Sequence, residues 1–505
     1  LRDAPRPRDA GDGHTRRATQ LDAAVATIRD ATTLCSIDPP RRPWLDPLPT
    51  DLSRAPLPTA PRPGAVVLGL VDRPDAQRHD PLVVDLDRDG GVVVVGASGS
   101  GRSTALRSLV AAADEDPHQD WHIYVIDAGA SLGDLAARAS VGDVVGVDDT
   151  ERVPRLLRSA VAEIDRRTAT GHRTHPRWLV VVDGIGALEE RYERRDRGEA
   201  MDLLARVARD GRAAGVHLAV SAQRRAEIPV ALAGALAARI LLRCATADEA
   251  ALWGLGDPAA SPEVPPGRCW VHGHTAQVAV SDPTAQRLLR TGPQRPAPVP
   301  TLPTEFRFLP AQAAAAEDGQ VAVGLDGDTL AVVHLDLRHH HAIVAGPPRS
   351  GVSTALGTLV AHHPRAQLLG ADATAGDVAA AVNAALVAAS DGRSRMLAID
   401  DLPALLDGPD GHEVATALSQ ALGAGRRVPL RLVVGGEVDA MTQCFFDAVA
   451  ALRRGRTGLL LGGDPELHAV LWHAQLRHRS DLPPAPGRGW LLGPGVARRV
   501  QVALG

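Results

Sequence analysis

The sequence predicts an α/β protein built twice over, each half a mostly parallel sheet with helices on both faces. Three observations carry this. The chain has 505 residues, more than one core normally organises, so two domains of roughly 200 residues are expected. Short β-branched runs alternate with helical patterns, as in βαβ units. A glycine-rich stretch also recurs with its surroundings: Gly96, Gly101, Ser103, Thr104, Ala105 and Leu106 return as Gly346, Gly351, Ser353, Thr354, Ala355 and Leu356, offset by 250.

Taken in order, residues 1–62 are rich in Arg, Asp and Pro, with one helical stretch from Leu21 to Thr33, and read as a tail and linker. In the first half, 63–290, strands are expected at 92–95, 122–126, 178–182, 216–221, 239–243 and 269–280. A helix from Thr150 to Arg167 presents Val153, Leu156, Leu157, Ala160, Val161 and Ile164 as one stripe, with Asp149 or Thr150 to cap it. A linker at 291–303 holds five prolines in thirteen residues. The second half, 304–505, offers strands at 342–345, 366–370, 396–399, 430–434 and 458–461, a helix at 375–390 and a last strand from Val500 to Leu504. PPGRCWV at Pro265 to Val271 is answered by APGRGWLL at Ala485 to Leu492, so the halves read as a duplication.

Composition narrows the function. At 45% hydrophobic and 23% charged the chain is globular in type. Fifty-five basic residues, none of them Lys, face 60 acidic ones for a net charge of −5. That excludes the strongly basic footprint of a dedicated nucleic-acid binder. No apolar run approaches a membrane span and no signal sequence opens the chain, so a cytoplasmic protein is expected. The start at Leu1 suggests a piece of a longer protein whose missing N-terminal part tethers it to the inner face of the plasma membrane. Cys35, Cys244, Cys269 and Cys444 lack metal or disulfide spacing and read as free thiols. His339, His340 and His341, and His272 with His274 on one face of a strand, read as polar turn or solvent-face residues rather than zinc ligands.

Gly96-Ala97-Ser98-Gly99-Ser100-Gly101-Arg102-Ser103-Thr104 follows a strand and opens a helix. Glycines in that setting let backbone N–H groups turn inward around phosphate oxygens, and the helix N-terminus adds its dipole. Gly346, Gly351, Val352, Ser353 and Thr354 repeat the arrangement. The Walker pattern G-x-x-x-x-G-K-[ST] has a Lys reaching the β- and γ-phosphates, but here that position is Arg102 or Val352. Arg102 keeps the charge without the compact ammonium; Val352 keeps nothing. Asp183 ends an apolar strand, placed for a Mg²⁺-bound water, but Gly184 follows where a second acid would polarise the attacking water. Asp400 and Asp401 keep two acids in the half that carries Val352; Asp401 could be the base, and capping of a turn is the competing reading. Each half therefore lacks a different part. Ser103, Asp183, Ser353 and Asp400 are the candidate Mg²⁺ residues, Gln223 a candidate γ-phosphate sensor, answered by Glu437, and Arg209, Arg212 and Arg239, with Arg243, candidate fingers toward a neighbouring module. The first half is expected to be the better nucleotide binder, and the second, with an apolar loop at Val352, the better partner binder.

The stretch Leu204 to Leu218 followed by Ala219-Val-Ser-Ala-Gln-Arg224 resembles the FtsK/SpoIIIE family of ring-forming P-loop motors. GLVDRPDAQRHDPLVVDL at Gly69 to Leu86, the tandem arrangement and the closing PPGR and APGR segments are similar to the second and third modules of EccC-type ATPases of type VII secretion. The resemblance covers about residues 40 to 505. It implies a RecA-like fold per half, ATP and Mg²⁺ as ligands, an upstream catalytic module, an exported protein signal as partner and a hexameric ring. On this reading the halves are regulatory, nucleotide-binding modules with weak or no hydrolysis. A DNA translocase, with DNA as partner, is the alternative reading, and a non-catalytic scaffold another.

Overall fold

A computed structural model describes residues 19–37, 45–115, 121–171, 176–194, 198–281, 295–309, 319–425, 427–474, 476 and 484–505. Part of the linker at 291–303 lies outside these residues.

The first unit is one ten-stranded sheet. Its strands are β1 (Ala65–Arg73), β2 (Arg78–Asp85), β3 (Gly91–Val95), β4 (Trp121–Asp127), β5 (Val141–Gly146), β6 (Arg177–Asp183), β7 (Val216–Ala222), β8 (Ala238–Leu242), β9 (Arg268–Val271) and β10 (His274–Val278). They lie in the order β2-β1-β10-β9-β8-β3-β7-β6-β4-β5. Strands β8 through β5 in that order are parallel, and the rest form an antiparallel wing. The second unit repeats this in nine strands: β11 (Gln320–Asp326), β12 (Val332–Asp336), β13 (Ala342–Gly346), β14 (Ala366–Leu369), β15 (Arg395–Ile399), β16 (Leu430–Glu437), β17 (Gly458–Leu461), β18 (Arg488–Gly493) and β19 (Val496–Val502). Its order is β12-β11-β19-β18-β17-β13-β16-β15-β14, so among the described residues no strand of this unit takes the place of β5.

The parallel half follows from composition: Val92 to Val95 are all buried, as a strand covered on both faces requires. Helix α1 (Gln20–Leu34), opened by a Thr19–Asp22 capping box, buries none of its residues. Against the core lie α2 (Arg102–Asp114), α3 (Arg152–Thr170) and α4 (Glu199–Ala214), and in the second unit α5 (Val352–Ala361), α6 (Ala375–Ala388) and α7 (Gly411–Ala424). The expected stripe of α3 is buried throughout. Asp149 does the capping, accepting from the N–H groups of Glu151 and Arg152 at 3.2 and 2.8 Å.

Two expectations need correction. The strand expected at 269–280 is a hairpin, because His272 and Gly273 both adopt positive φ and fold β9 back onto β10. His272 therefore sits in the turn, and it does not share a strand face with His274. The antiparallel wing also makes the sheets mixed. Among the described residues no group of His, Cys, Asp and Glu could hold a metal, and no helix is long and apolar enough to cross a membrane.

His341 is internal. Its Nδ1 accepts the Leu432 N–H at 3.0 Å. Burial, with Arg431 and His340 adding to it, lowers its pKa from 6.5 to about 4. An unfolded chain takes up that proton near pH 6.5 while the folded one resists, so stability falls on acidification between those values, by ~1.4 kcal/mol per pH unit. Thermal melts should lose stability from pH 6.5 to 5, and His341→Asn should flatten that slope. An unchanged slope would refute the assignment.

The units meet through the tip of the β11–β12 hairpin. The Arg155 guanidinium on α3, 5% exposed, donates to the carbonyls of Gly327 (2.7 Å), Asp328 (3.2 Å) and Pro300 and to Glu151 (2.9 Å). Asp328 pairs with Arg158 at 3.4 Å and with Arg499. The intervening chain is pinned as well: Val299 N–H donates to Asp143 at 3.1 Å, Leu302 N–H to Glu151, and the Tyr124 hydroxyl to the Ala297 carbonyl at 3.1 Å.

Candidate functional site

The glycine-rich loops sit at the carboxyl ends of β3 and β13, where parallel strands deliver ligand sites. Gly101 (φ 104°) and Gly351 (φ 99°) are the N-caps of α2 and α5. A Cβ on either would meet the N of Gly267 at 3.0 Å or of Gly487 at 2.9 Å. Each loop is tied to its wing by the same bond: Gly267 N–H to the Ser100 carbonyl at 2.9 Å, and Gly487 N–H to the Ser350 carbonyl at 2.7 Å. Gly96 N–H donates to the Ala222 carbonyl and Ala97 N–H to that of Arg243. Inside each loop a serine hydroxyl, Ser100 or Ser350, has no hydrogen-bond partner among the described residues.

Beside the first loop stands Asp183, 6% exposed. Ser103 Oγ donates to its Oδ2 at 2.6 Å, Ser131 Oγ to the same oxygen at 3.2 Å, and Ser221 Oγ to Oδ1 at 2.5 Å. Asp127, in register with Asp183 on β4, accepts from Gly129 N–H and Leu132 N–H and shapes the adjoining turn. The Arg102 guanidinium, on the first turn of α2, has no ion pair or hydrogen bond among the described residues.

The second loop lines a cleft of about 430 Å³ with Arg349, Asp400, Asp401 and Glu437. Asp400 Oδ1 accepts the Asp401 N–H at 2.9 Å. Asp401 is the N-cap of the short helix Leu402–Asp407, at φ 48°. Ser353 and Thr354 are exposed. Val352 leans inward, its Cγ1 3.1 Å from where a Cβ on Gly435 would stand, and packs on the core beneath. Val352 still lines the cleft, beside Pro347, Pro348 and Pro486, and the charged groups stand on the same wall.

Gln223 is exposed just past β7, its N–H donating to Glu227 at 2.7 Å. Arg209 and Arg212 lie at the opposite end of the sheet from the loop. Arg209 pairs with Asp210 at 3.0 Å, and Arg212 donates to the Arg88 carbonyl, just before β3. Arg239 lies over the Trp253 ring at 5.7 Å. Arg243 donates to the Ser98 carbonyl of its own loop at 3.2 Å. Ser131 and the bond from Ser221 to Asp183 were not anticipated, because they depend on which strands become neighbours.

The donor set suits a magnesium–nucleotide pair in the first unit: hard hydroxyl and carboxylate oxygens, an inward orphan hydroxyl and a cradle that a Cβ would obstruct. In the second unit the cradle is kept without a cation at 352. Comparison with known proteins agrees, the FtsK/SpoIIIE family matching residues 59–174. The chain carries an FtsK/SpoIIIE-family P-loop ATPase module. Nucleotide binding is a general property of the family that this module matches. Among relatives, the ESX-4 secretion system protein EccC4 of Mycobacterium tuberculosis is 29% identical over 87% of this chain and 40% of its own length. The ESX secretion system protein EccC of Thermomonospora curvata is 28% identical over 58% of this chain and 25% of its own. The chain thus spans less than half the length of either. Two solved structures share the fold. ATPases 2 and 3 of T. curvata EccC, in complex with a signal sequence peptide, superpose with a TM-score of 0.69 at 21% identity over 92% of this chain and all of that one. ATPases 2 and 3 of EssC from Geobacillus thermodenitrificans give 0.67 at 19% over 91% and all of that chain. The FtsK/SpoIIIE-type fold here is therefore that of tandem RecA-like ATPase domains.

Proposed function

We propose that these two units, 63–290 and 304–505, are the regulatory and substrate-recognising part of a type VII secretion ATPase that works in the cytoplasm, with ATP and Mg²⁺ held by the first. The observation that carries the reading is the split of catalytic parts: Ser103 and Asp183 face each other without a Walker lysine, while Asp400 and Asp401 stand beside Val352. Gln223 would face the γ-phosphate, and Arg209 and Arg212, remote from their own loop, together with Arg239, would serve a neighbour in a hexameric ring. An upstream module of the full protein supplies turnover, and DNA is not the cargo.

An exported signal peptide is the partner, and its site is on the second unit. In the first, the chain around Ala297 and Val299 lies against Tyr124 and Asp143, on β4 and β5. The corresponding face of the second, along β14 and α6, is an open groove of about 470 Å³ lined by Leu368, Gly370, Asp372, Asp377, Ala381 and Ala384. It is sized for a peptide segment.

Calorimetric titration of MgATP beside a phosphate-release assay tests the reading. Binding without turnover is expected. Sustained turnover by the chain alone would overturn it.

A further inference from the structure

Ser221 is fully buried, and both of its bonding directions are committed. Its oxygen accepts the Gly184 N–H at 2.8 Å, and its proton goes to Asp183 Oδ1 at 2.5 Å. That fixes the rotation of the Asp183 carboxylate, leaving Oδ2 directed at Ser103 (2.6 Å) and Ser131 (3.2 Å). A carboxylate held at one oxygen presents the other in a single orientation, the arrangement by which outer partners aim a metal ligand.

The duplicate shows what its loss means. Val94 pairs with Ser221 across β3 and β7, and Val344, its repeat, pairs with Gly435 across β13 and β16. Glycine thus stands where the serine would be, and Asp400 turns Oδ1 to the Asp401 N–H of its own chain. A side chain at 435 would meet Leu356 Cδ1 at 2.6 Å and Val352 Cγ1 at 3.1 Å. A serine at 435 would therefore press on both of these side chains, which the glycine leaves undisturbed.

We propose that Ser221 is a positioning residue that aims Asp183 at a divalent cation, and that metal-dependent nucleotide binding is confined to the first unit. This rests on the nucleotide reading above. The test is titration of ADP into the whole chain with Mg²⁺ or with EDTA, for the unchanged protein and for Ser221→Ala, Ser221→Gly and Ser221→Thr, each first melted without ligand. The unchanged chain should show one metal-dependent site. Ala and Gly should lose about tenfold in Mg²⁺-supported affinity, in line with outer partners of metal ligands, while affinity in EDTA stays within about twofold; Thr should retain the metal effect. The Gly variant guards against a folding failure, since the second unit builds the same strand with glycine. Equal losses with and without metal, no loss at all, or two metal-dependent sites would overturn the proposal while leaving nucleotide binding standing. No ADP binding by the unchanged chain in either condition would overturn both.

Discussion

Arg155→Ala should divide the protein's unfolding into two transitions. The guanidinium it removes is buried and satisfies the carbonyls of Gly327, Asp328 and Pro300 together with Glu151. Hydrogen bonds to a charged group contribute about 1.5–3 kcal/mol each, and an acceptor left dry adds its own penalty. Losing the cation from this cluster should cost on the order of 3–5 kcal/mol of coupling. Differential scanning calorimetry would show the second unit melting separately, and limited proteolysis would release it. Arg158→Ala is the internal comparison, because its pair with Asp328 at 3.4 Å is partly exposed, and such pairs are worth under ~1 kcal/mol. If both variants keep a single transition at the parent temperature, something other than Arg155 joins the units.

Gly101→Val should weaken ligand binding at the first loop severely without unfolding the unit. Valine at φ 104° is strained, and its Cβ would press on the Gly267 N at 3.0 Å. The loop must then move away from the arrangement in which its N–H groups converge. A loss of roughly a hundredfold in ADP affinity, ~2.7 kcal/mol, is expected. Gly133→Val is the control, since a Cβ there meets nothing within 4 Å. Equal affinity for the two variants would mean that nucleotide does not use this loop.

What could be read from the residues alone was whatever has a local cause. Glycines between a strand and a helix announce the loops, the stripe of α3 repeats at the helical period, and Asp183 and Asp400 end apolar strands. The wing was harder to read. Strand β2 carries Arg78, His79, Asp80 and Pro81, residues that resemble a loop until β1 supplies their partner. The β9–β10 hairpin hid because its turn, His272-Gly273, is flanked by strand-like residues on both sides. The clasp on Asp183 hid for a different reason: Ser131 and Ser221 lie 52 and 38 residues from it, and only the strand order brings them to one carboxylate.

The bond from each wing to its loop also bears on how the protein tolerates change. With the Ser100 and Ser350 carbonyls held outward by Gly267 and Gly487, neither peptide plane can flip without breaking its bond to the wing. The cradle's electropositive polarity is therefore written in main chain alone, whichever side chain follows the glycine. Arginine in one unit and valine in the other are two outcomes of the same freedom: the glycine turn and its bond to the wing are kept in both, whichever residue opens the helix behind them.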